Sequence, residues 1–134
     1  MTRFSTLILL TLVSVVGCAT ASSDGTIQIS DVTSLSGKWL GYAVGTAAGG
    51  RQAIELTISP DGTYVSRIEA QVQSGTVRVS DGKVSFARAA ASGSSTSVMT
   101  ASTAVLQQRG GKRVLVGQGR SDYGPYSYEF TEQK

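Results

Sequence analysis

The chain contains no histidine, and its single cysteine is Cys18. That inventory excludes histidine-based catalysis, Cys/His metal centres and intrachain disulfides. Of 134 residues only 2 are proline and 1 is tryptophan, and charged residues make up 16%. With 40% apolar residues, such a composition argues against wholesale disorder and against a coiled coil. Long apolar runs are also missing. The longest, Leu7 to Val16, is interrupted by Thr11 and Ser14 and is shorter than the ~20 residues of a membrane-spanning helix. A basic stripe is absent too. The densest group, Arg109 to Arg113, straddles Gly110 and Gly111 and reads as turn decoration, so nucleic acid is not an expected partner.

What is present begins with an address. Arg3 supplies positive charge, Leu7 to Val16 an apolar stretch, and Gly17 a small residue before Cys18. These are the parts of a secretory signal. Val15-Val16-Gly17-Cys18 resembles the lipobox of bacterial lipoproteins, with Val15 where Leu is commoner. The resemblance implies cleavage after residue 17 and palmitate-type acylation of Cys18. Two or three acyl chains anchor firmly, where one holds only weakly. Ala19 stands where an Asp would signal inner-membrane retention. The implied location is therefore the periplasmic face of the outer membrane in a two-membrane bacterium. The alternative is plain secretion with an incidental cysteine. On this reading the chain divides into a signal helix over 1–17, a lipidated Cys and flexible tether over 18–36, and one domain over 37–134.

From Gly37 onward the hydrophobic period is two. Ile54, Leu56 and Ile58 alternate with polar residues, and Pro60-Asp61-Gly62 then supplies a turn before the next extended run. Asp81-Gly82 and Gly110-Gly111 are two further hairpin signals. Tyr126, Tyr128 and Phe130 share one face of a last strand. The pattern predicts eight strands, over 38–44, 51–59, 63–70, 75–80, 83–89, 98–108, 112–119 and 124–131. The fold class is all-β, an eight-stranded antiparallel up-and-down barrel, because closure removes the edges and the exposed apolar face of an open sheet. Its inner face is expected to carry Trp39, Ile54, Leu56, Ile58, Tyr64, Ile68, Val77, Val79, Val84, Phe86, Leu106, Val114, Val116, Tyr128 and Phe130. Such an interior is either filled by side chains or holds one small ligand. In the tether, Ile27 and Ile29 can dock as a short edge strand.

Leu35-Ser36-Gly37-Lys38-Trp39 opens the first of these strands. It resembles the Gly-x-Trp signature of lipocalin- and avidin-like barrels, in which the Trp plugs the closed end. The resemblance covers five residues. It implies that plug role for Trp39 and no biotin site, since Gly41 stands where avidins carry an Asn and no second Trp is available. Small periplasmic barrels that inhibit metalloproteases share the Gly-x-Trp strand, but 19–36 carries no matching inhibitory motif.

Catalysis lacks its parts. A serine nucleophile would need a Lys or carboxylate base, and the lysines fall at strand ends, turns or the terminus. Glu55 and Glu69 fall on the polar face, while Asp61 and Asp81 belong to turns. The expected function is therefore non-catalytic, without cofactor or metal. It is the binding of a small apolar ligand, with Trp39, Tyr42, Tyr64, Phe86, Tyr126 and Tyr128 as candidate contacts, or alternatively a protein-interaction or protease-inhibitor role. Tyr42 is ambiguous: it faces outward if β alternation holds, and inward if Gly41 makes a bulge.

Overall fold

The computed structural model describes residues 24–45, 49–89, 102–121 and 124–134. The signal, Cys18 and the start of the predicted sixth strand, 98–101, lie outside the described residues. The elements are β1 (Gly25–Thr26), a 3-10 helix (Val32–Leu35), β2 (Gly37–Val44), β3 (Arg51–Ile58), β4 (Thr63–Ile68), β5 (Gln71–Ser80), β6 (Lys83–Arg88), β7 (Ser102–Arg109), β8 (Lys112–Ser121) and β9 (Gly124–Gln133). Strands β2 to β9 pair antiparallel in chain order, and β2 also pairs β9. The barrel of eight strands is closed, and β1 is an addition to it.

The turns follow their residues. Asp81 and Gly82 both take positive φ, 51° and 73°, and so do Gly110 and Gly111, 53° and 76°. Two-residue hairpins favour such turns because their twist matches that of the strands. At the Pro60-Asp61-Gly62 turn, Asp61 accepts from the Thr63 amide at 2.9 Å and the Thr63 hydroxyl at 2.7 Å. Those bonds hold its carboxyl below the usual carboxylate range.

Two sequence expectations are corrected. The sequence pattern predicts strands over 63–70 and 75–80, but β4 ends at Ile68 and β5 begins at Gln71. Glu69, at φ 53°, makes the turn although Glu-Ala carries no turn signal. On β8, Val114 and Val116 were expected inward. Leu115 faces in instead, fully buried and opposite both Leu106 and Phe130. The run Val114-Leu115-Val116 is apolar throughout, so periodicity alone leaves its face open.

The segment before β2 is built into the domain. β1 pairs β7 through Gly25↔Gln108 and Thr26↔Gln107, and the Ile27 amide donates to the Leu106 carbonyl at 2.8 Å. This ladder begins where β6 stops, since β6 reaches β7 only from Ser102 to Val105. Ile29 and Leu35 are buried in the core, and Asp31 caps the 3-10 helix by accepting from the Thr33 amide at 2.7 Å. Residues 24–36 thus pack on the barrel, Ile27 and Ile29 docking as the sequence allowed. Of the expected tether over 18–36, residues 18–23 lie outside the described residues.

Packing below is dense. Trp39, Leu56, Ile58, Val84, Leu106, Leu115 and Phe130 are all buried at the end where the 3-10 helix crosses the barrel. We call the opposite end, where β4 turns into β5, the mouth.

A polar upper interior as candidate ligand site

Trp39 lies at the closed end and is fully buried. Its indole Nε1 donates to the Leu35 carbonyl at 2.9 Å, so the 3-10 helix and the ring fix one another. The guanidinium of Arg113 sits 5.7 Å from the ring centroid, a cation–π separation. Arg113 also donates to Glu132 at 2.7 Å and to the Ser34 carbonyl. It does not decorate the turn, as its position beside two glycines suggested. It ties β8, β9 and the 3-10 helix together beneath the Trp. Gly37, which admits the chain to β2, has φ +136°, a conformation that L side chains rarely adopt. Trp39 is therefore a structural plug.

Tyr42 faces outward. The β2–β3 register runs unbroken from Gly37↔Ile58 to Val44↔Arg51, so there is no bulge at Gly41. Arg51 lies over the Tyr42 ring, 3.3 Å from its centroid. Tyr42 does not join the other candidate contacts.

Tyr64, Phe86, Tyr126 and Tyr128 do come together inside. Tyr64 meets Phe86 edge-on at 5.4 Å, and Phe86 meets Tyr128 edge-on at 6.1 Å. Tyr128 continues to Tyr126 at 6.2 Å and to Phe130 at 5.3 Å. The arrangement requires glycine on facing strands. A Cβ at Gly117 would stand 2.5 Å from Cε2 and Oη of Tyr128, and one at Gly75 would meet the Ala87 carbonyl first and Cε1 of Tyr64 at 2.7 Å. The rings occupy the space that side chains at those inward positions would have filled.

Above this aromatic row the interior becomes polar. Ser66, Gln73 and Ser102 are buried on the inner face. Ser102 and Tyr128 share a hydrogen bond at 3.0 Å, and Ser102 also bonds Tyr126. Burial pushes the Tyr64 hydroxyl up to about 12, and it raises Tyr126 and Tyr128 as well. Tyr126 interacts electrostatically with both Tyr64 and Tyr128, and Arg88 with Tyr64, so these groups are near neighbours. Two of the hydroxyls stand out. Tyr64 Oη and Ser66 Oγ are buried and have no hydrogen-bond partner among the described residues.

Sequence reasoning missed Ser66, Gln73, Ser102 and Arg113. At Gln71-Val72-Gln73-Ser74 the usual pattern is inverted: Gln73 points in, and Val72 points out with 61% exposure. Alternation marks Gln73 as solvent-facing by its chemistry. Only the register from Gly75 back, in which Gln73 opposes Ser66, places it inside.

The fold and this interior define a small closed antiparallel β-barrel with an apolar plugged end and a polar upper half. Comparison of the chain with protein-family models, with curated proteins and with solved structures gives no match.

Proposed function

We propose that the protein is a non-catalytic, lipid-anchored component of the bacterial cell envelope whose barrel holds one small ligand in its upper interior. The anchoring part rests on Val15-Val16-Gly17-Cys18. The observation that carries the binding part is the pair of orphaned hydroxyls on Tyr64 and Ser66. A buried polar group without a partner costs about 1–3 kcal/mol. Two of them, two residues apart on one strand, are best accounted for by an acceptor that arrives with a ligand. Ile54, Ile68 and Phe86 on the same inner face offer it apolar contact. The ligand class is thus a small, largely apolar molecule with one hydrogen-bonding end.

The test uses a form lacking residues 1–18, titrated with octanoic acid and with octanol and followed by amide chemical shifts. Saturable shifts are expected at Ser66, Gln73 and Ser102. The double variant Tyr64→Phe, Ser66→Ala is expected to bind about 5–10-fold more weakly. The same variant should unfold at higher denaturant concentration, since two orphans are gone. A more stable variant in a protein that binds neither probe would count against a ligand site of this class.

A second reading has its own observation. Leu40, Val44, Val65 and Val72 are exposed on the outer wall of β2, β4 and β5. Beside Leu40 lies an open depression of about 400 Å³ bordered by Glu55 and Arg67. Such a wall suits a protein partner. Retention of a specific envelope protein by the soluble form, lost on Leu40→Glu and Val65→Lys, would favour it.

A further inference from the structure

We propose that the closed end of the barrel rests on the lipid surface, at the corner formed by the β7–β8 turn and the end of β9, with the mouth turned away from the membrane. The inference rests on lipidation of Cys18 and adds a direction to it. Asp24, the first described residue, is fixed to that corner: its carboxylate accepts from the Gly110 amide at 2.9 Å. Gly25 then pairs with Gln108. From Cys18 to Asp24 is six residue steps, which span at most about 20 Å when fully extended.

The barrel wall is of similar height, since strands of 8 to 10 residues at ~3.3 Å per residue and ~40° tilt rise about 20–25 Å. With the mouth on the membrane, the whole leash would have to run taut along the wall. With the closed corner on the membrane, it needs no extension.

The surface at this corner suits phosphate-bearing headgroups. Lys112 and Lys134 border one shallow depression there, and Lys38 opposes Gln133 on the adjoining strand. All three are exposed, and none has an ion-pair partner among the described residues. Arg109 and Arg113 stand beside them, paired with Glu129 and Glu132. Charge does not choose the end by itself, because Arg51, Arg88 and Arg120 lie toward the mouth. The leash chooses the end, and the lysines give it a contact.

The experiment uses the full, membrane-extracted protein in vesicles of phosphatidylethanolamine and phosphatidylglycerol, some carrying a headgroup spin-labelled quencher. A fluorophore is attached at Gln133→Cys in one variant and at Gln71→Cys, beside the mouth, in another. Intact mass is read first. Acyl chains on Cys18, strong quenching at 133 and at least threefold weaker quenching at 71 are the expected results. Acylated protein quenched equally at both positions, or more at 71, overturns the orientation and leaves the anchoring reading intact. A chain without acyl groups overturns both.

Discussion

Gly117→Ala adds one methyl group to the inner wall, and the structure says where it lands. The new Cβ would sit 2.5 Å from Cε2 and Oη of Tyr128, about 1 Å inside ordinary contact. The ring has little freedom to retreat. Phe86 and Phe130 flank it at 6.1 and 5.3 Å, and Ser102 holds its hydroxyl at 3.0 Å. Overpacking of a filled core costs about 1–3 kcal/mol. Replacing a strand glycine returns only ~0.5–1 kcal/mol of that, so a net loss of about 1–2 kcal/mol is expected. The assay is equilibrium urea unfolding of the form lacking residues 1–18, with Gly25→Ala as control because nothing lies within 4 Å of its added Cβ. Tyr128→Leu should be destabilising alone and should relieve Gly117→Ala in the double variant, by about 1 kcal/mol of coupling. Tyr128→Phe should not relieve it, because the ring carbons remain. If Gly117→Ala is as stable as the parent, or if Tyr128→Leu and Gly117→Ala add without coupling, Tyr128 does not occupy the space left by Gly117.

Alkaline pH gives a separate check on the buried tyrosines. The Tyr64 hydroxyl is pushed from 10.0 up to about 12 by burial, so between those values the unfolded chain has lost a proton that the folded one keeps. The contribution of Tyr64 is therefore fully present below pH 10 and falls between pH 10 and 12, by at most about 1.4 kcal/mol per pH unit. Tyr126 and Tyr128 act in the same direction. Tyr64→Phe should flatten the decline, and a stability curve level from pH 9 to 12 would contradict the burial. Arg113→Met should cost about 1–3 kcal/mol, because it removes the Glu132 pair, the Ser34 carbonyl bond and the contact with Trp39 together. Arg113→Lys should recover only part of this, since an ammonium group lacks the planar fork that serves several partners at once; equal stability of the two would show that geometry is unimportant there.

The barrel was readable in the chain because its strands are bounded by residues with a physical reason to turn. Asp81-Gly82 and Gly110-Gly111 supply positive φ at no steric cost, and β5–β6 and β7–β8 fall where they indicate. Where the turn is Glu69-Ala70, strand ends were misplaced, since glutamate at positive φ is imposed by the neighbouring ladders. The aromatic part of the candidate site was visible for the same reason that the core was, through alternation. Its polar part was not, because Ser66, Gln73 and Ser102 are inside against their own chemistry. Nor does alternation report across strands: the service of Gly117 to Tyr128, or of Arg113 to Trp39, exists only once the register is set.

The clasp of β1 on β7 bears on how the chain reaches this state. Seven ladders of the barrel join strands adjacent in sequence and can form as local hairpins. Two pairings cannot: β2 with β9, and β1 with β7, whose partners Gly25 and Gln108 are far apart along the chain. Loop-closure entropy opposes both until the intervening hairpins have shortened the path, and contacts of long sequence separation are the slow ones. The last step of folding should then be a joint closure that seats Trp39 under Leu35 and lays β1 along β7. Until that closure the chain is an open meander. The strands β1 and β2 that complete the wall are thus made before the rest of the barrel and are among the last to find their place.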